Sequence, residues 1–128
     1  MTFKLSALSL AHLKGVHPDL VKVVMRAIEI TPVDFVVGEG LRSKEQQARN
    51  VAKGVSTTMR SRHLDGHAVD IQPIGPDGKG SWDWKLYYPL AKIIKQAALD
   101  VKIPVEWGGD WKTFKDGPHW QLPWAKYP

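Results

Sequence analysis

The sequence predicts an α+β fold, a small and mostly antiparallel sheet flanked by helices. Two long segments carry apolar residues at the helical period, Leu20, Val24, Ala27 and Ile28 in one and Leu90, Ile93, Ile94, Ala97 and Val101 in the other. Short β-branched or aromatic runs lie between and after them, so helices stand at both ends of the sheet. A chain of 128 residues suits one domain with one core, since domains commonly run to about 100–150 residues. We therefore treat residues 1–128 as a single domain.

Each element has a local reason. Leu5 to Leu13 reads as a short amphipathic helix. Pro18 fits the first turn of a helix that runs to Ile30 and ends at Thr31-Pro32. Phe35-Val36-Val37 is a short buried strand closed by Gly38 and Gly40. Ser43, with Gln46 three residues later, forms a capping-box signal for a helix reaching about Lys53. His67 to Ile71 alternates as a strand, with Gly66 supplying the tight turn before it. A turn-rich loop, Gly75 to Gly80, leads to a helix over Tyr87 to Val101. Ile103 to Trp107 is a strand broken by Gly108-Gly109, and His119 to Leu122 is a final short strand.

Two stretches carry chemistry. Ser61-Arg62-His63-Leu64-Asp65-Gly66-His67-Ala68-Val69-Asp70 and Asp116-Gly117-Pro118-His119 together offer two imidazoles and a carboxylate, His63, Asp70 and His119. Hydrolytic zinc centres use such a set and leave a fourth position open for water. Asp116, three residues before His119, can be aimed by a short loop at that water as general base. His63 and His67 stand four apart, which on a helix would make a competing pair. Gly66 and the β pattern after it argue against a helix, so Asp70 is favoured and His67 is read as a strand-start or cleft-wall residue. His12 and His17 are read as ordinary structural histidines. Glu106 and Asp110 are reserve candidates for the base.

These residues carry a family resemblance. Ser61, His63, Gly66, Ala68 and Asp70 fit the SxHxxGxAxD pattern of the LAS metallopeptidases, and Asp116 to His119 fits their second motif. Trp107-Gly108-Gly109-Asp110-Trp111 and Leu41-Arg42-Ser43 resemble the phage endolysin branch, small L-alanyl-D-glutamate endopeptidases that cut the stem peptide of peptidoglycan. The resemblance implies a LAS/hedgehog-like zinc peptidase fold, with Zn2+ on His63, Asp70 and His119. It implies that Arg42 polarises the scissile carbonyl and steadies the oxyanion, work that suits a guanidinium fork. Ser61 is expected to hydrogen-bond near the metal or the substrate. A D-alanyl-D-alanine carboxypeptidase of the same fold shares every motif. A non-catalytic zinc-containing wall-binding module would be marked by decay of Asp116 or Arg42, and both stand.

Composition narrows the remaining classes. With no cysteine, disulfides, thiolate ligands and cysteine nucleophiles are excluded. Eighteen Lys and Arg against thirteen Asp and Glu give a net charge of +5, which suits an anionic wall polymer. The cations are scattered beyond Arg60 and Arg62, and the six Trp accompany no nucleic-acid motif, so nucleic acid is not expected as a partner. Most of the tryptophans are expected in the core or on a cleft wall. No stretch approaches the ~20 apolar residues of a membrane span, and no stable membrane insertion is expected. Leu5 to Leu13 lacks the marks of a signal peptide. The resulting expectation is a monomer made in the host cytoplasm without a signal peptide, reaching periplasmic peptidoglycan through a membrane pore for host lysis.

Overall fold

The computed structural model describes residues 3–54, 61–113 and 115–128. Its elements are α1 (Ala7–His12), α2 (Pro18–Ile30), β1 (Phe35–Glu39), α3 (Lys44–Ala52), β2 (Ala68–Pro73), α4 (Trp84–Val101), β3 (Glu106–Trp107) and β4 (His119–Gln121). Short 3-10 turns cover Arg62–Asp65 and Gly108–Asp110. The four strands form one antiparallel sheet in the order β1-β2-β4-β3, as the α+β expectation required.

The core forms where the predicted stripes meet. Leu20, Val24, Ala27 and Ile28 of α2 are buried together with Leu90, Ile94 and Ala97 of α4, while Phe35, Val37, Val69 and Ile71 add the inner face of the sheet. Burying each large aliphatic or aromatic chain contributes roughly 1.5–3 kcal/mol. Val23 and Tyr87 belong to the same cluster.

The chain departs from its sequence pattern in four places. In α1 the inward residue is Ser9, not a leucine: Ser9 is buried while Leu8 and Leu10 are exposed. The reason lies at the sheet edge. β1 is an outer strand, and Ser9 Oγ accepts from the Val37 N–H at 3.0 Å while His12 Nδ1 donates to the Val37 carbonyl at 2.7 Å. The helix thus satisfies edge groups that would otherwise invite another strand. α4 begins three residues earlier than its apolar stripe, because Asp83 caps it by accepting from the Lys85 N–H at 3.0 Å. β3 is only two residues long: Ile103 N–H bonds back to Ala98 and Pro104 has no N–H for a ladder. Finally, Ser43 caps α3 by accepting from Gln46 N–H at 3.1 Å, but the Gln46 side chain donates to Asn50 instead of returning to the cap.

The turn before β2 needs glycine. Gly66 has φ +76°, and a Cβ there would lie 2.3 Å from the Gly15 carbonyl oxygen. Gly78 shares the backbone conformation, φ +79°, but has nothing within 4 Å. Gly78→Ala is expected to cost about 1–2 kcal/mol of strain, and Gly66→Ala about 2–4 kcal/mol because strain and clash add. Urea denaturation of both variants checks this; equal losses would mean that the contact with Gly15 does not matter.

Candidate metal centre and its relatives

Register builds the site. Ladder pairing sets Asp70 of β2 opposite His119 of β4, and directly paired residues of antiparallel strands project from the same face. On the other side of β2, a bulge between Val37 and Glu39 brings Glu39 opposite Asp70. Glu39, Asp70 and His119 therefore form one row across three strands. Bulges commonly re-aim a side chain in this way.

His63 arrives from the 3-10 turn, clamped by the β1–α3 connection. Its Nδ1 donates to the Gly40 carbonyl at 2.8 Å, and its own carbonyl accepts from the Arg42 N–H at 2.8 Å. That leaves His63 Nε2 facing Asp70 Oδ1 at 3.2 Å. His119 is held in the opposite sense: its Nε2 donates to Gln121 Oε1 at 2.8 Å, and its Nδ1 lies 3.7 Å from Asp70 Oδ1. Each ring spends one nitrogen on a protein acceptor, which fixes the tautomer and frees the other nitrogen.

His63, Asp70 and His119 each offer a ligand atom, all within 4.8 Å of one another. A tetrahedral ion with bonds of about 2.0–2.2 Å needs ligand atoms roughly 3.3–3.6 Å apart. The 3.2 and 3.7 Å separations bracket that edge, so this His-Asp-His group fits a metal ion.

Burial alone would push the Asp70 carboxyl up, but hydrogen bonds and charge from His119 and His63 hold it well below the ordinary carboxylate range. Burial works against charging His119, yet Asp70, Gln121 and Asp116 outweigh it and raise the imidazole. Asp116 Oδ2 lies 4.0 Å from His119 Nδ1, with its side chain half-exposed. Burial and the charge of Asp70 raise the Asp116 carboxyl, against the pull of His119, His63 and Arg42.

The Asp116 loop is built by close packing. A Cβ on Gly108 would lie 2.3 Å from the Asp116 carbonyl oxygen, so only glycine lets the backbones meet. The Asp116 N–H bonds Gly108 O at 3.1 Å, and Trp107 Nε1 donates to Gly117 O at 2.6 Å. Gly108-Gly109 is thus a seat for the Asp116 loop as well as a strand end.

Arg42 is largely buried: Nε donates to Glu39, and Nη1 donates to Gln47 Oε1 at 2.5 Å. Its charge reaches Asp116. Glu39 and Gln47 were not singled out from the sequence. The Glu39 role depends on a bulge that strand periodicity does not reveal. For Gln47, burial on a polar helix was the missing signal.

The other candidates lie elsewhere. Ser61 caps the turn, accepting from the His63 N–H at 3.3 Å. His67 turns away to pack edge-on against His17 and Tyr127. Asp110 pairs with Lys95 at 2.7 Å, and the charge of Glu106 is felt at Arg62. Arg62 is itself buried, donating to the Leu122 and Tyr127 carbonyls beneath Trp124. It is therefore no surface cation; Arg60, read with it, lies outside the described residues. Among the described residues, no helix is long and apolar enough to cross a membrane.

The sequence profile of the phage L-alanyl-D-glutamate peptidase family matches residues 1–121. The chain is 35% identical over 120 residues to the L-alanyl-D-glutamate peptidase of Escherichia phage T5, covering 91% of this chain and 87% of that protein. It is 36% identical over 104 residues to the peptidoglycan L-alanyl-D-glutamate endopeptidase CwlK of Bacillus subtilis (strain 168), covering 70% of this chain and 61% of CwlK. The crystal structure of the Serratia marcescens L-Ala D-Glu endopeptidase ChiX superposes with a TM-score of 0.90 and 49% identity, over 100% of this chain and 94% of that one. With a profile running almost end to end and a fold shared at that identity, the chain belongs to the phage L-alanyl-D-glutamate peptidase family.

Proposed function

We propose that the chain is a monomeric zinc endopeptidase that hydrolyses the L-alanyl–D-glutamate bond of the peptidoglycan stem, with residues 1–128 as one catalytic domain. It would serve host lysis as an endolysin, reaching periplasmic peptidoglycan through a membrane pore. The observation that carries the reading is the pair of oppositely oriented histidines flanking Asp70, with Asp116 beside them.

His63 Nε2, Asp70 and His119 Nδ1 would hold the zinc. When bound, zinc supplies Lewis-acid polarisation of the carbonyl and a water whose pKa falls to about 7. Asp116 takes a proton from the attacking water and returns it to the leaving D-glutamyl amine. Glu39 and Gln47 keep the Arg42 guanidinium in place to share the charge of the developing oxyanion. Ser61 acts through the turn that carries His63.

Digestion of purified peptidoglycan with mass spectrometry of the fragments tests this. New N-terminal D-Glu peptides should appear, vanish with a chelator and return with zinc. Free D-alanine alone would instead mean a carboxypeptidase. Asp116→Asn should keep stoichiometric zinc and lose about 10²–10⁴-fold in kcat; near-normal turnover would remove Asp116 as the base.

Gln121→Leu removes the acceptor that frees His119 Nδ1. Zinc affinity should fall about 10–100-fold, measured by competition with a chromophoric chelator. Unchanged affinity would show that the tautomer is set elsewhere.

The raised His119 imidazole makes a signed prediction for the metal-free protein. A folded pKa above the unfolded value of about 6.5 adds stability that is full below that pH and is lost as pH rises through the folded pKa. The depressed Asp70 carboxyl adds stability above about pH 3.9 that is lost as pH falls towards its folded pKa. The metal-free Tm should therefore decline as pH rises beyond about 6.5. Zinc requires a neutral His119, so the Tm gained with zinc should grow over the same interval. A zinc increment independent of pH would contradict this.

A further inference from the structure

An open cleft adjoins the candidate metal centre, with Asp116 as a shared wall. Its other walls include Trp82, Trp84, Tyr87 and Lys115. Trp82 is 71% exposed and Trp84 38% exposed, so two indoles of one cleft wall face solvent. The Trp84 side of the wall is packed in place. Trp84 lies 5.9 Å from the ring of Tyr87 and 6.4 Å from that of Trp107, and the Tyr87 hydroxyl donates to the Ser81 carbonyl at 2.7 Å. Neither the metal ligands nor the proton transfer uses this surface.

Resting on the endopeptidase reading, we propose that this cleft is a subsite for the N-acetylmuramyl sugar that bears the stem peptide, its pyranose face lying on Trp82 and Trp84. The chemistry of the bond sets the distance. The L-alanine whose carbonyl is attacked is joined through its nitrogen to the lactyl ether of that sugar. The ring therefore sits roughly two extended residues, about 7 Å, from the scissile carbon. The cleft begins at Asp116, whose carboxylate is 4.0 Å from His119 Nδ1, so a chain running from the metal past Asp116 enters it within that reach. A pyranose matches the wall: its axial C–H face is apolar and fits an indole, while its rim of hydroxyl and acetamido groups fits the Lys115 ammonium. The stem peptide offers no comparably flat apolar face near the scissile bond.

Two substrates with the same peptide test the subsite: N-acetylmuramyl-L-Ala-D-Glu, and N-acetyl-L-Ala-D-Glu with an acetyl group in place of the sugar. The zinc-loaded enzyme should show roughly tenfold higher kcat/KM on the muramyl substrate, equivalent to about 60 Å² of apolar surface leaving water. In Trp82→Ala that ratio should collapse towards one. In parallel, the muramyl substrate titrated into zinc-loaded Asp116→Asn should shift the Trp82 indole N–H resonance, and the acetyl substrate should not. Equal cleavage of both substrates without a Trp82 shift overturns the subsite and leaves the endopeptidase standing. An equal fall on both substrates in Trp82→Ala also overturns it, and would place the peptide on this wall. A sugar-dependent Trp82 shift with no cleavage of either substrate or of whole peptidoglycan supports the subsite and overturns the endopeptidase.

Discussion

The pairing of β2 with β4 is the constraint on which the rest of the site depends. It places Asp70 opposite His119, and because side chains alternate along a strand, a slip of one residue would turn both into the core. Val69, Ile71 and Trp120, all buried, make such a slip expensive. The hydrophobic core therefore sets the candidate metal site indirectly: it fixes the register, and the register fixes which side chains face one another. The bulge in β1 extends the row to Glu39, and through Glu39 to Arg42.

Both histidines are preorganised. The backbone carbonyl of Gly40 orients His63 and the side chain of Gln121 orients His119, so both rings aim their other nitrogen at Asp70 before any ion arrives. The Asp70 carboxylate is kept charged by those rings despite its burial. Asp116 experiences the opposite balance, its carboxyl raised by burial and by Asp70. Two carboxylates a few ångströms from the same histidines are thereby driven to different proton affinities, one suited to hold a cation and the other to exchange protons.

Much of this was legible in the residues. The stripes of α2 and α4 found their partners because apolar residues at the helical period have one place to go. His63, Asp70, His119 and Asp116 come together as their spacing suggested, with the Gly66 turn folding the first over the strand of the second. What the sequence hid was polar and non-local. Ser9 faces inward because an edge strand needs a hydrogen-bond partner 28 residues away. Arg62 stands beside Arg60 as a basic pair in an otherwise scattered set of cations, yet it is buried under Trp124. Glu39 lines up with Asp70 only through a bulge, and Pro104 shortens a strand that its neighbours' composition favours.

In the proposed mechanism His63 Nε2, Asp70 and His119 Nδ1 form one open-sided zinc site. The most direct test is a crystal structure of the zinc-loaded protein with anomalous scattering measured at the zinc edge. Zinc on that site gives a single strong peak about 2.0–2.2 Å from each of those three donors, with the fourth position facing Asp116. A peak on His67, or bonds through His63 Nδ1 or His119 Nε2, would contradict it.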